Sequence, residues 1–545
     1  METHPFAAAP AGGPGLESLR VEPLLTSEFD VDPGSVYERL RSTYGPVAPV
    51  GLMGVPAWLV LDYREVLEVL RNDTVWRRDV RHWRARAEGR LPKDWPLLAG
   101  YEVRQTMFFD DEEHRHARLS HHSALRPFQD GHSPEGWELR AAVARYADEL
   151  IAVLAAESGT TGFADLAAQY TRPLLLMATT KLFGCPVELG DEMVMDLWRM
   201  LDGGPDAGPA TERALGAMIR LAAHRRSRPG EDLTSYMLLS DPSLSDEQLG
   251  RELFMNAVYL NDITGNMVCN TLLEVLRGNA TVRRSLSDGQ LGETVNRAAL
   301  ANPPTANLCF RFAARDVRLG NYVIRAGDIV SPSVAAAHRD LLAIGSSHIV
   351  DSAVSTRAHL AWGAGPHQCP SAARELAGTI VTTAVGRIFD HFARAELTLP
   401  PDQLPWRSGP VVRGLRLLPV RYELAGHSAA RGGGGAAGAG RGRGCAVRGS
   451  AGGAGDSVGG AGGGARREWA AGGVAADDVR GAEGWLTVAL GVLSSAASVA
   501  PGRAAPRAPE KQRAAPHCFS GAQPSTGPAA GLRPGGATPW RGAAG

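Results

Sequence analysis

One cysteine of the chain lies in a setting that suits metal binding. Cys369 follows two glycines, Gly363 and Gly365, and a helix is predicted to begin just after it, near Ser371. Glycine reaches backbone conformations closed to other residues, so amides can turn toward the sulfur and the chain can lie flat against a planar ligand. A helix start beside the sulfur further favours its anionic form. A thiolate held in this way is a good axial ligand for haem iron.

The other cysteines, the charge and the apolar segments exclude several classes of protein. The six cysteines, at positions 185, 269, 309, 369, 445 and 518, show neither the close pairing of a zinc site nor a dense disulfide framework. A net charge of -1 gives no global field for nucleic acid or an acidic membrane. The N-terminus lacks a secretory signal, and residues 485–500 are too short to span a bilayer. We therefore expect a cytoplasmic protein that binds neither nucleic acid nor a membrane.

The cysteine segment resembles a known cofactor loop. Residues 359–370 look like the haem-binding loop of the cytochromes P450, with the pattern aromatic, Gly, any, Gly, any, basic, any, Cys. Trp362 holds the aromatic place usually filled by Phe, His367 holds the basic place, and Ser371 replaces a Gly usually found two residues after the Cys. The alternative is a buried free cysteine in a glycine turn. The resemblance implies a haem b group bound through Trp362, Gly363, Gly365, His367 and Cys369.

Two further segments agree with this resemblance. His114 and Arg118 are four residues apart on a predicted helix, so they share a face and can grip acidic groups together. The resemblance implies that they reach the haem propionates, and that Arg311, on a predicted strand, holds the other propionate. Taken alone, the first pair is more often solvated surface, and Arg311 could form a salt bridge at a strand edge.

A cluster of histidines offers a different interpretation of the same region. His114, His116, His121 and His122 lie close together in the sequence, and imidazole is the commonest metal ligand in proteins. No carboxylate or cysteine stands beside them at the spacing of a metal site, so a separate metal centre is the weaker hypothesis.

The predicted long helix departs from the family. Ser245 and Gln248 form a capping box, and the apolar pattern then continues to Gly278. The family pattern Ala-Gly-any-acid-Thr falls on residues 260–264, where Thr264 fits the alcohol but Asn261 stands at the Gly place. The acid, Asp262, comes one position early, which turns its side chain by 100° on an α-helix. We expect Asn261 to crowd the oxygen pocket and Asp262 to miss the iron face, although both Thr264 and Asp262 are candidate catalytic residues.

A second departure lies on the next helix. The family's Glu-x-x-Arg pair should occupy positions 297 and 300, which hold Arg297 and Leu300. Glu293 and Arg297 look instead like an exposed helical pair. The aromatic-Arg segment usually found before the cysteine loop is also missing between Asp340 and Arg357. This pattern resembles an actinomycete subgroup of the family that lacks the pair.

The organisation of the chain follows from its composition. Residues 1–27 are predicted to be a flexible segment, residues 28–423 a P450-like haem domain, and residues 424–545 a disordered tail rich in Gly, Ala, Arg and Pro. We expect a mainly α domain with a smaller β region. Its predicted elements include a helix from Ser371 and an antiparallel hairpin within residues 316–330, turning at Gly320 and Asn321.

The resemblance implies monooxygenation of a small organic substrate. In that reaction a ferredoxin and its reductase supply electrons, and one atom of dioxygen enters the substrate. The departures on the long helix leave room for a second hypothesis, a haem protein that binds a ligand or partner without oxygenating it. A third, a helical scaffold without haem, requires that Cys369 is only a buried thiol.

Overall fold

The structure of the chain is a computed structural model. The structure describes residues 15–425, apart from residues 94, 96, 98–103, 130–132, 203–204, 279–288 and 347–357. The predicted tail lies outside the described residues from position 426 onward. Among the residues described, no helix is long and apolar enough to cross a membrane.

Helices form most of the described chain, as predicted. The helices, numbered in chain order, are α1 Ser27–Val31, α2 Pro33–Tyr44, α3 Tyr63–Arg71, α4 Arg84–Ala87, α5 Asp111–Gln129, α6 Pro134–Ser158, α7 Arg172–Phe183, α8 Val187–Asp202, α9 Ala207–Ser227, α10 Leu233–Ser240, α11 Asp246–Val258, α12 Gly265–Leu276, α13 Leu291–Ala301, α14 Val334–Ser346 and α15 Ser371–His391. Two π-helical segments, Ala167–Thr171 and Tyr259–Thr264, precede α7 and α12.

Thirteen strands form a smaller β region within the described residues. The strands are β1 Glu22–Pro23, β2 Val47–Leu52, β3 Val55–Val60, β4 Trp76–Arg77, β5 Thr161–Asp165, β6 Arg311–Ala313, β7 Val317–Leu319, β8 Tyr322–Ile324, β9 Ile329–Pro332, β10 Phe392–Leu397, β11 Trp406–Ser408, β12 Arg413–Leu415 and β13 Pro419–Leu424. Six of them form one mixed sheet in the order β1-β2-β3-β9-β6-β4, and β10-β13-β5 form a second sheet. The predicted hairpin is confirmed, because β7 pairs with β8 across Gly320 and Asn321.

The N-terminal boundary of the domain is earlier than predicted. Residues 1–27 were expected to be flexible, but β1 pairs with β2 in parallel, and Leu16 and Leu24 are buried. These two leucines find apolar partners on the main sheet, which a composition rich in Gly and Pro did not indicate. Among the described residues, the packed domain therefore includes the chain from Leu16 onward.

The long helix is helical throughout but not uniform. Its capping box is confirmed, since the Ser245 hydroxyl accepts from the Gln248 N–H and the Gln248 side-chain oxygen accepts from the Ser245 N–H. The helix continues through α11, the π-helical segment Tyr259–Thr264 and α12. A π turn inserts one extra residue into the ladder, and such turns occur frequently at functional sites. The expectation for Asp262 assumed a rotation of 100° per residue, which applies to an α-helix and not to a π turn.

Helix α15 leads away from the cysteine and packs into the largest apolar core. The predicted stripe is confirmed, because its five members are all buried: Leu376, Ile380, Ala384, Val385 and Ile388. It faces α6 and α12. Burial of such a stripe anchors the helix, so the start of α15 is a rigid support for the loop that carries Cys369.

Candidate haem site

The cysteine loop is tied to itself by backbone hydrogen bonds. The Cys369 N–H donates to the Trp362 carbonyl at 2.9 Å, and the Gln368 N–H donates to the Gly365 carbonyl at 3.0 Å. Pro370 then caps α15, whose first residue is Ser371. The sulfur is therefore held at the junction of a closed turn and a packed helix.

Both glycines of the loop adopt the backbone conformation that the sequence predicted. Gly363 has a φ of 72° and Gly365 a φ of 71°, in the left-handed region that favours glycine. A Cβ atom on Gly365 would also lie 2.5 Å from the Leu70 carbonyl oxygen at the end of α3. The loop can approach α3 this closely only because residue 365 has no side chain.

The Cys369 thiol is less acidic than usual, although the sequence predicted that a helix start would favour its anionic form. Burial raises the pKa of the Cys369 thiol to about 11, although the guanidinium groups of Arg374 and Arg118 act in the opposite direction. Desolvation of the charged form outweighs the helix start and the two cations. The protein alone does not make the thiolate, but a bound metal cation deprotonates a coordinating thiol outright.

The residues predicted to bind the haem propionates lie close together near this loop. The rings of His114 and His367 stack with their centroids 3.8 Å apart. Burial, then the charges of Arg118, Arg78 and Arg311, lower the pKa of His114 to about 4. The same three arginines act on His367, whose pKa is lowered mainly by burial. The structure thus brings His114, Arg118, Arg311 and His367 together, as the sequence interpretation required.

A fifth member of the cluster, Arg78, was missed from the sequence. Strand β4 pairs with β6 so that Arg77 lies opposite Phe312, which places Arg78 beside Arg311. Arg78 is buried, and its Nε and Nη1 atoms have no hydrogen-bond partner among the described residues. Several charged residues surround Arg78 in the sequence. Only the pairing of β4 with β6 shows that Arg78 is the one that lies beside Arg311.

The acidic residues near Arg78 accept hydrogen bonds from groups other than the Arg78 side chain. Arg77 pairs with Asp111, and Arg81 pairs with Asp79 through an Nε–Oδ2 hydrogen bond of 2.7 Å. The Asp110 carboxylate is close to Arg78, but it accepts from the backbone N–H at 3.0 Å. Unpaired buried charge is expensive, so this cluster fits a ligand that brings negative charge. The two propionates of haem match that requirement.

The π turn carries the second face of the pocket. Tyr259 lies near both Arg78 and Cys369, and burial raises the pKa of its phenol well above the usual value. The Thr264 hydroxyl donates to the Tyr259 carbonyl at 3.3 Å, a contact typical of the i to i+5 spacing of this turn. The Thr264 hydroxyl is therefore directed back at the backbone of Tyr259, within the π turn.

Asn261 does not crowd the pocket, contrary to expectation. Its Nδ2 atom donates to the Thr179 hydroxyl at 2.9 Å and to the Ala257 carbonyl at 2.8 Å. Thr179 belongs to α7, so the Asn261 amide is directed at that helix. The asparagine is consequently a buried contact between two helices.

Asp262 is held away from Thr264, in agreement with its displaced position in the motif. Its Oδ1 atom accepts from Arg407 on β11 at 2.8 Å and from Asn266 at 3.2 Å. Burial raises the pKa of Asp262, while Arg407 acts to lower it. The Arg407 Nη1 atom also donates to the Leu201 carbonyl at 2.6 Å, so the arginine is anchored on both sides.

One other expectation from the sequence is wrong, and the weaker hypothesis of a histidine metal centre gains no support. Glu293 and Arg297 are half-buried rather than exposed, because α13 packs against α12 and α15. The four histidines of α5 do not form a metal centre: His116 contacts Asp241, and His121 contacts Glu252. Within the part of the chain that the structure describes, no three metal-ligating side chains come together.

Comparisons with known proteins agree with this geometry. No model of a known protein family matches the chain. Cytochrome P450 107B1 of Saccharopolyspora erythraea is 28% identical over 410 residues, which cover 72% of this chain and 96% of that protein. Cytochrome P450 monooxygenase PikC of Streptomyces venezuelae is 28% identical over 435 residues, 75% of this chain and 95% of that protein.

A solved structure gives the same result for the fold. The structure of CYP154A1 from Streptomyces coelicolor matches with a TM-score of 0.63 and 25% identity, over 73% of this chain and 99% of that one. The similarity thus spans nearly the full length of these relatives, and the residues that converge at the site suit their cofactor, haem. The chain has the fold of the cytochromes P450, is similar to bacterial members of that family over nearly their whole length, and is a haem-binding oxidoreductase of the monooxygenase class.

Proposed function

We propose that Cys369 is the axial ligand of the haem iron and that the chain inserts one oxygen atom into a small organic substrate. A ferredoxin with its reductase supplies the electrons. When bound, the haem supplies the activation of dioxygen, and thiolate donation favours cleavage of the oxygen–oxygen bond. The observation that carries this proposal is the buried cationic cluster, which includes Arg78 with two unpartnered nitrogens, directly beside a thiol held by a glycine loop.

We assign the haem propionates to the cationic cluster. The side chains that hold them in this proposal are Arg78, His114, Arg118, Arg311 and His367. Guanidinium groups present paired N–H donors that match a carboxylate, and bonds between charged partners are about twice as strong as neutral ones. Trp362, Gly363 and Gly365 then shape the loop beneath the ring, because both glycines leave the backbone free to lie close to a flat ligand.

Proton delivery on the oxygen side has an unusual arrangement. The Thr264 hydroxyl lies at the π turn and can pass a proton at its Oγ1 atom. Asp262 is the nearest acid in sequence, but its ion pair with Arg407 keeps the carboxylate on the β11 side of the helix. Transfer from Asp262 would first have to break this pair, so we expect slow proton delivery in the unmodified enzyme. General acid catalysis typically contributes about 10² to 10⁴-fold.

The same ion pair favours a second candidate function. A haem protein that binds a ligand without oxygenating it has no need of a proton relay, and an acid anchored by Arg407 suits that role. Both candidates share the haem site and differ only in turnover. Measuring product and peroxide formed per electron separates them, once a ligand that shifts the Soret band is found by screening.

The substitution Ile263→Glu provides the sharpest form of this test. It places an acid directly before Thr264, at the family position, on a side chain that is only partly buried. Asn261 can stay, because it contacts Thr179 rather than the pocket. We expect more product and less peroxide per electron than in the unmodified enzyme, with Ile263→Gln as the uncharged control. If the unmodified enzyme already couples electrons tightly to product, this account of Asp262 is wrong. If neither enzyme forms product from a ligand that binds, the non-oxygenating function is favoured.

A further inference from the structure

One buried histidine joins the cysteine loop to another helix. His338 lies on α14, where its Nδ1 atom is 3.0 Å from the Leu300 carbonyl oxygen. On the other side of the ring, Nε2 is 2.7 Å from the backbone nitrogen of Leu360. A backbone N–H can only donate, so Nε2 accepts, and Nδ1 must carry the proton that goes to Leu300. Both backbone contacts therefore fix one neutral tautomer.

This contact is the first of a series that ends at Cys369. Leu360 begins the turn, and its carbonyl accepts from the Gly363 N–H at 2.8 Å. Trp362, the residue before Gly363, accepts from the Cys369 N–H at 2.9 Å. A shift of Leu360 would therefore move both ends of the turn that sets the position of the sulfur.

The partner on α13 makes His338 more important in this chain. Leu300 stands at the place where the family pattern has an arginine, and an apolar side chain cannot hydrogen-bond to the loop. Its carbonyl makes the connection instead, through the imidazole. Burial and the neighbouring His359 lower the pKa of His338 to about 3, so the ring stays neutral and keeps its acceptor at ordinary pH.

We propose that His338 is a positioning residue that holds the start of the cysteine loop so that the Cys369 sulfur meets the iron. This inference rests on the proposed role of Cys369 as the axial ligand. Its consequence is spectroscopic: without the Leu360 contact, the reduced, carbon monoxide-bound holoprotein should lose part of its long-wavelength Soret band, which is typical of thiolate ligation. The displaced form absorbs at shorter wavelength.

Two substitutions of similar chemistry separate positioning from folding. The amide of His338→Gln can reach the position of Nε2 and accept from the Leu360 N–H. The amide of His338→Asn is one methylene shorter and reaches only the position of Nδ1, beside Leu300. We expect the Gln variant to keep the long-wavelength band. In the Asn variant the ratio of long- to short-wavelength band should fall about 10-fold, the order expected when a buried N–H loses its acceptor.

A control and a ligand variant complete the experiment. Tyr170→Phe removes a buried hydrogen bond of 2.6 Å to the Ala384 carbonyl, on α15 but away from the loop, and should leave the ratio unchanged. Equal ratios in the Asn and Gln variants, whether both keep or both lose the band, would overturn the positioning role, as would an equal loss in Tyr170→Phe. Cys369→Ser separately tests the assignment of Cys369 as the iron ligand. Retention of the long-wavelength band in that variant would contradict the proposed function itself.

Discussion

Three guanidinium groups, those of Arg78, Arg118 and Arg311, surround the stacked imidazoles of His114 and His367. The pKa of each imidazole is lowered by burial and then by these neighbouring cations, so both rings are neutral donors or acceptors rather than additional charges. A buried arginine with unpartnered nitrogens, such as Arg78, destabilises a protein interior. A ligand with two carboxylates converts this cost into binding energy, which explains why the cluster is built from several arginines.

Arg78 provides the residue-scale prediction. Arg78→Met removes a buried charge with two unpartnered nitrogens, and a charge-assisted hydrogen bond contributes about 1.5 to 3 kcal/mol. We expect haem to dissociate roughly 10- to 100-fold faster than from the unmodified protein, measured by transfer to an excess of apomyoglobin. The rate of haem loss from Arg78→Lys should lie between those of the unmodified protein and Arg78→Met. Lysine keeps the charge but loses the planar fork of the guanidinium.

Arg81→Met serves as the matched control. Arg81 belongs to the same segment, but it is largely exposed and pairs with Asp79. Its removal should leave the rate of haem loss unchanged. A rate for Arg78→Met that equals the rate for Arg81→Met would show that Arg78 does not face the propionates.

The residues that the sequence located are those with a local signature. Gly363, Gly365 and Cys369 stand in one motif, and a helical spacing of four joins His114 to Arg118. Arg78 has no such signature, because its role depends on β4 pairing with β6, two strands that are far apart in the chain. The charge of the thiol was misjudged for a related reason: desolvation is a property of the packed loop.

At the scale of elements, the π turn at Tyr259–Thr264 explains why the long helix was only partly predicted. The capping box and the apolar pattern were sufficient to give its extent. The direction of each side chain was estimated with 100° per residue, which holds for an α-helix and fails across a π turn. For this reason neither the contact of Asn261 with Thr179 nor the ion pair of Asp262 with Arg407 could be obtained from spacing.

The cysteine loop gives the element-scale prediction. Gly365→Ala introduces a side chain at a φ of 71° and 2.5 Å from the Leu70 carbonyl oxygen. The left-handed conformation alone costs about 1 to 2 kcal/mol, so we expect the free energy of unfolding in urea to fall by at least that amount. Haem content should fall with it, because the loop must move away from α3.

Gly378→Ala is the control for this substitution. Gly378 lies inside α15, and a Cβ atom there meets nothing within 4 Å. Alanine in a helix interior stabilises by roughly 0.5 to 1 kcal/mol relative to glycine. Equal unfolding free energies for the two variants would contradict the close approach of the loop to α3.

At the scale of the whole molecule, the described chain closes with β13, which pairs with both β10 and β5. Val420 and Tyr422 are buried, and the Tyr422 hydroxyl donates to the Leu154 carbonyl at 3.0 Å. The last strand is therefore part of the core. The segment rich in Gly, Ala, Arg and Pro follows it, outside the described residues.

Truncation tests where the domain ends. We expect a chain that stops after His427 to keep the haem content and melting temperature of the full chain, because the tail lacks the apolar pattern needed to pack. A chain that stops after Leu418 removes β13 and should not fold. A loss of several degrees on the first truncation, measured by circular dichroism, would show that the tail packs on the domain.

The central claim, that Cys369 binds the iron, has a direct competitor in the same pocket. Cys309 is half-buried and, like Cys369, lies near the phenol of Tyr259. Serine at either position removes one sulfur with little change in size. The measurement is the absorption spectrum of the reduced, carbon monoxide-bound protein. We predict that Cys309→Ser retains the long-wavelength Soret band of thiolate haem and that Cys369→Ser loses it. A band that survives in Cys369→Ser, or disappears in Cys309→Ser, would contradict the account.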